Sequence, residues 1–116
     1  MRPMRVVVTG GRDYRDEDAI ETALLALTAE GFWDLAHGGA LGADTLAGIV
    51  AERLGMTVTV YPASWRPFGP EAGPIRNRQM LREFKPDLVL ACPGGRGTAN
   101  CVKTAREMGI LVKMIS

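Results

Sequence analysis

Leu88-Val89-Leu90-Ala91-Cys92-Pro93-Gly94-Gly95-Arg96-Gly97-Thr98 is the stretch from which the rest of the chain can be read. Its first four residues form a continuous apolar run, as expected of a strand buried on both faces. A helical pattern follows from Thr98 to Met108 and closes at Gly109. A buried strand that stops in glycines and restarts as a helix leaves backbone N–H groups unpaired in one small space. Those groups and the helix dipole are both positive there, so the space attracts phosphate or carboxylate.

Working outward, two more glycine turns follow predicted strands. Val6-Val7-Val8 is β-branched and runs into Thr9-Gly10-Gly11, while Phe32 to Ala36 runs into His37-Gly38-Gly39. Asp16 is placed to cap a helix carrying Ile20, Ala23, Leu24 and Leu27 on one face and ending at Gly31. A second helix opens at Gly42-Ala43-Asp44, carries Leu46, Ile49, Val50 and Leu54, and closes at Gly55. Thr57 to Tyr61 is the clearest strand by composition. Pro62 to Pro74, with four prolines and two glycines, reads as a loop, and a third helix is expected from about Ile75 to Phe84. Asp87 to Ala91 and Leu111 to Ile115 complete the strands.

Strands alternating with helices along the whole chain give an α/β fold: a single doubly wound, Rossmann-like domain of about five parallel strands with helices on both faces. The domain is expected to span residues 1–116. Ligands of such sheets bind beyond the carboxyl ends of the strands, and every glycine turn named above lies at one.

Bulk composition narrows the function. Hydrophobic residues make up 47% and charged residues 23%, as in ordinary globular proteins. A net charge of +1 lacks the broad positive field of general nucleic-acid binders. No run reaches the length needed to cross a bilayer, and the basic N-terminus precedes an apolar run too short for a signal peptide. Cys92 and Cys101 lack metal-ligand spacing, so a reduced cytoplasmic protein with no metal is expected.

Gly94, Gly95 and Gly97 allow close approach of a ligand to the backbone. Thr98 can cap the helix or donate to a phosphate oxygen, and Arg96 suits bidentate binding of an anion. The plainer reading is a tight turn with a threonine cap. Gly38 and Gly39 form a similar turn, where Asp44 is either an N-cap or an acceptor for sugar hydroxyls or a base edge. His37 is the single histidine, and a structural role fits it better than general base chemistry.

Gly10 and Gly11 begin a dinucleotide-like turn without the full G-x-G-x-x-G spacing, and no acidic residue ends the second strand. NAD is therefore not expected, nor any other cofactor. Arg12 either faces the shared pocket or is solvated. Arg76, Asn77 and Arg78 follow Pro74 in the first turns of a helix, where the dipole disfavours positive side chains unless an anion compensates. Arg76 and Asn77 are assigned to the ligand. Trp65, Phe68 and Tyr61 are read first as plugs for the core edge, with base stacking as the second reading.

Taken together, Val8-Thr9-Gly10-Gly11-Arg12-Asp13, His37-Gly38-Gly39-Ala40 with Gly42-Ala43-Asp44, Tyr61-Pro62-Ala63 with Trp65, Ala72-Gly73-Pro74-Ile75-Arg76-Asn77 and Pro93-Gly94-Gly95-Arg96-Gly97-Thr98 resemble the SLOG superfamily of Rossmann-like nucleotide-ligand proteins, and within it the YspA-related family. The resemblance implies a nucleotide-like ligand and a homo-oligomer. It also implies two activities of relatives. The cytokinin-activating phosphoribohydrolases carry P-G-G-x-G-T-x-x-E with a catalytic glutamate, and Cys101 stands at that position here. A cysteine cannot supply the carboxylate that oxocarbenium-forming cleavage needs, which argues against that activity. The DNA-processing protein DprA has a similar turn and an Arg-Asn-Arg helix start, which implies single-stranded DNA binding as an alternative.

Three readings follow. The first is a nucleotide-binding module with phosphate on Gly94, Gly95, Gly97 and Thr98, charge from Arg76 and Arg96, and Gly10, Gly11, Gly38 and Gly39 as floor. The second is a nucleotide-cleaving hydrolase with Asp44 as candidate catalytic acid/base. The third is single-strand binding through Arg76, Arg78 and Trp65.

Overall fold

The computed structural model describes residues 2–116, the side chains of 66 and 67 excepted. Five strands, β1 (Met4–Thr9), β2 (Phe32–His37), β3 (Thr57–Val60), β4 (Leu88–Ala91) and β5 (Leu111–Met114), form one sheet in the order β3-β2-β1-β4-β5. Every neighbouring pair is parallel, with Val7 opposite both Ala36 of β2 and Val89 of β4. Chain order reverses at β1, so the crevice that such folds use for ligands opens between the ends of β1 and β4.

The helices are α1 (Glu17–Ala29), α2 (Ala43–Arg53), α3 (Trp65–Phe68), α4 (Ala72–Phe84) and α5 (Arg96–Glu107). Alternation along β1 divides the core. Val6 and Val8 pack with Ile20, Leu24 and Leu27 of α1 and Ala47, Val50 and Ala51 of α2. Val7 points the other way, to Met80, Leu81 and Phe84 of α4 and Cys101 and Ala105 of α5. Two helices on each face make three layers, the doubly wound architecture expected from the alternating pattern. Asp16 caps α1 as anticipated, its carboxylate accepting from the Ala19 N–H at 3.0 Å.

Three expectations need correction. Pro62 to Pro74 is not a plain loop: it holds α3 and a 3₁₀ turn at Gly69–Glu71, and α4 begins at Ala72 rather than near Ile75. Pro74 is the third residue of α4, where its missing N–H has no intrahelical acceptor to lose. On α2, Val50 is buried and Leu46 and Leu54 pack partly buried against the core as expected, but Ile49 does not, and small residues share that face. Ala43, Ala47, Gly48 and Ala51 are buried while Ile49 stays half exposed, which brings α2 close to β2: a Cβ on Gly48 would lie 2.7 Å from His37 Nε2. Finally, β3, clearest by composition, is an edge strand with three of its four residues exposed, as in β5. Their apolar residues cover only one side of the sheet's margin.

Among the described residues, no helix is long and apolar enough to cross a membrane.

Candidate functional site

Past the last paired residues of β1 and β4 the two chains stay zipped. Cys92 N–H donates to Thr9 O at 2.9 Å and Gly11 N–H to Pro93 O at 2.8 Å. This closeness explains the glycines. A Cβ at Gly10 would lie 2.5 Å from the Cβ of Ala43 and 2.8 Å from that of Cys92; one at Gly11 would lie 3.0 Å from Gly94 Cα. Gly94 in turn leaves room for the Thr98 side chain. These three glycines serve the packing of turn against turn. Gly95 and Gly97 differ, since a Cβ on either meets nothing within 4 Å.

Beside this floor lies a cavity of about 680 Å³ lined by Thr9, Gly10, Gly11 and Arg12 from the first turn, Ala40 and Asp44 at the entry of α2, Trp65, Gly73 and Arg76 from α3 and α4, and Gly95, Arg96, Gly97 and Thr98 at the start of α5. That size is in the range of small-molecule sites, which run from about 300 to 1,000 Å³. The helix α5 begins at Arg96, two residues earlier than expected, so Thr98 is its third residue and not its cap. Gly95 occupies the cap position and provides no side-chain acceptor. Ala99 N–H bonds back to Gly95 O, so the N–H groups of Arg96, Gly97 and Thr98 precede the first intrahelical bond. They open where the cavity is. Thr98 is largely buried and lines the cavity.

Asp44 is 4% exposed, and its Oδ2 accepts from Gly38 N–H at 3.0 Å and Ala40 N–H at 3.3 Å. It therefore staples the turn before α2 and does not cap the helix, whose cap position is Gly42. Burial raises its pKa above the ordinary carboxylate value, opposed by the bond from Ala40, the Arg76 charge and the bond from Gly38. Arg76 is held by main chain: Nη1 donates to Gly38 O at 2.5 Å and Tyr61 O at 3.4 Å, while Nε donates to Asn77 Oδ1 at 2.8 Å. Asn77 does not line the cavity. Its Nδ2 donates to Gly97 O at 3.2 Å and Asn100 Oδ1 at 3.0 Å, tying α4 to α5 and fixing Arg76.

Gly38 and Gly39 likewise stand behind the wall, in the turn that Asp44 and Arg76 hold, and Gly94 faces a second cleft of about 650 Å³ across the glycine turn. The remaining assigned residues meet in the one cavity, where Arg12, Arg76 and Arg96 outnumber the single lining carboxylate, Asp44. Thr9, Ala40, Trp65 and Gly73 belong to the wall and were not assigned from sequence, although Thr9 adjoins an assigned turn and Trp65 was weighed for stacking.

His37 is buried, and its Nδ1 accepts from Gly39 N–H at 2.9 Å, which leaves the proton of the neutral ring on Nε2. Burial and then Arg76 lower its pKa, with Glu52 acting weakly the other way. A histidine whose folded pKa lies below its unfolded one binds fewer protons when folded. Its contribution to stability is therefore intact above the unfolded value of 6.5 and is lost as pH falls through the folded value. The urea midpoint is expected to fall between pH 7 and pH 5, and His37→Gln to flatten that part of the curve. An unchanged slope in the variant would assign the titration elsewhere.

Cys101, at the position of the hydrolase glutamate, is fully buried in the core; burial pushes its thiol up to about 11, against a hydrogen bond with Thr9 and the Arg76 charge. Among the described residues no group of three or more His, Cys, Asp and Glu side chains is placed to hold a metal.

A parallel sheet covered by helices on both faces, with a glycine-walled cavity at its reversal point, defines a Rossmann-like domain. Residues 4–68, more than half of the chain, match the model of the YspA, cpYpsA-related SLOG family (YAcAr). A phage relative, the Gene 61 protein of Mycobacterium phage D29, is 36% identical over 117 residues covering 93% of each chain. The chain belongs to the YspA, cpYpsA-related SLOG family.

Proposed function

We propose that this domain binds a nucleotide or nucleotide-derived ligand at the carboxyl edge of its sheet, with a phosphate at the start of α5. The observation that carries this reading is the uncapped first turn of α5 opening into the cavity, with Thr98 on the cavity wall beside it. Arg96 and Arg12, both exposed and both on the wall, supply charge there. Arg76 adds field from a fixed position. The second oxygen of Asp44, Oδ1, accepts no hydrogen bond among the described residues, so it is available to a sugar hydroxyl or a base amino group.

The hydrolase alternative draws on the same Asp44. It is the one carboxylate among the described lining residues, and its raised pKa suits a proton donor. Asp44→Asn tests the two against each other, because an amide oxygen can still accept from Gly38 and Ala40. Native mass spectrometry of wild type and variant with a nucleotide panel gives the readout, together with the number of subunits per particle. Binding alone yields an intact nucleotide adduct in both proteins. Hydrolysis yields free base or a shortened nucleotide from the wild type only. Absence of any nucleotide adduct or product from the wild type would overturn the proposal.

A further inference from the structure

We infer that Trp65 is the platform for an aromatic base, so that the cavity selects a mononucleotide over a sugar phosphate; the inference rests on phosphate binding at α5. The argument starts from where the indole is. It stands on α3 in the segment between β3 and α4, belongs to neither core cluster, and is 53% exposed although it lies in the cavity wall. A tryptophan that sealed the edge of a small core would be covered by it; Trp65 is not.

One edge of the ring is fixed. A Cβ on Gly73 would come 3.6 Å from Trp65 Cη2, so the indole rests on the first turn of α4 while its other surface is left to the cavity. Ala40, a small residue before α2, also lines the cavity. The same space holds three arginines and the free N–H groups of α5. An open aromatic face and a cationic wall within about 680 Å³ call for a ligand with a flat ring at one end and an anion at the other. Inorganic phosphate or ribose 5-phosphate satisfies the wall and leaves the indole in water. A nucleotide satisfies both.

Fluorescence reads this directly, since Trp33, the second indole, lies on β2 beside Gly55 and outside the cavity. In Trp33→Phe protein, Trp65 is the sole tryptophan and is excited selectively over the two tyrosines. AMP and GMP are expected to quench it, and ribose 5-phosphate to compete for the site without quenching and with affinity weaker by about tenfold or more. Trp65→Ala is expected to fold normally and to bring AMP affinity down to that of ribose 5-phosphate, with Trp65→Phe retaining part of the difference. AMP binding at full strength to Trp65→Ala would overturn the stacking platform and leave the phosphate site standing. Failure of AMP, GMP and ribose 5-phosphate alike to bind wild-type protein would remove the parent reading as well. Quenching by a single-stranded oligonucleotide, steeply weakened by salt and with no response to mononucleotides, would overturn the mononucleotide assignment in favour of nucleic acid.

Discussion

Gly95→Asp protein is expected to fold and to lose its ligand. The cap position of α5 has φ −99°, outside the left-handed region, and a Cβ there meets nothing within 4 Å. Aspartate is a preferred cap, exceeding glycine by about a few tenths of a kcal/mol, and its charge suits the helix dipole. The same carboxylate occupies the anion's place. Two unit charges about 4 Å apart repel by about 4 kcal/mol at an effective dielectric of about 20, or roughly a thousandfold in affinity. Screening reduces this, and a loss of about 100-fold or more is expected by calorimetric titration with AMP. Gly95→Asn separates charge from shape, because it can cap the helix without repelling phosphate and should bind within about tenfold of wild type. Equal affinity in wild type and Gly95→Asp would move the phosphate off α5.

The largest expected loss of stability comes from Gly42→Ala. Gly42 has φ 79° and ψ −126°, a backbone region that side chains avoid, and a Cβ there would collide with the carbonyl oxygens of Gly11 and Arg12. Those are backbone atoms of the turn that also accepts the Ala43 N–H, so nothing can rotate away. A loss of about 3–5 kcal/mol is expected in urea unfolding, a large share of the roughly 5–15 kcal/mol that holds a typical domain. Gly55→Ala is the control. Its φ is 87°, but its Cβ would sit in open space with Trp33 Cζ3 as nearest neighbour at 4.0 Å. Only the backbone term remains, about 1–2 kcal/mol. Equal losses in the two variants would show that the clash at Gly42 relaxes.

The contrast marks what could and could not be read in the chain. The layers were legible because Val6-Val7-Val8 and Leu88-Val89-Leu90 are continuous apolar runs that only a sheet covered on both sides accommodates. The glycine turns were legible as a group, since each follows such a run. Their separate duties were not. Gly94 and Gly95 are neighbours in sequence, yet one is wedged against Gly11 and Thr98 while the other stands in the open. That difference depends on what the turn after β1 does, more than eighty residues earlier. Asn77 is assigned to the ligand from its place in the first turns of the helix after Pro74, but its Nδ2 partners are Gly97 and Asn100, on a helix whose approach no local pattern encodes. Asp44 was weighed as a cap or a ligand acceptor; its bonds to Gly38 and Ala40 depend on the path of the turn before it. The exposure of Trp65 was not legible either, since exposure belongs to the folded surface and not to the residue type.

The zipper between the ends of β1 and β4 has one more consequence, for how such a domain diversifies. Its tightly fitted residues are hemmed in by their neighbours, Gly11, Gly42 and Gly94 by backbone of the facing turns and Gly10 by the Cβ atoms of Ala43 and Cys92, and none can gain a side chain without a partner moving. Arg12, Trp65, Gly95, Arg96 and Gly97 carry no such obligation, and they are the surfaces a ligand would meet. A lineage can therefore explore new small molecules one substitution at a time on an unaltered frame, and descendants of one ancestor can part in what they recognise long before they part in shape.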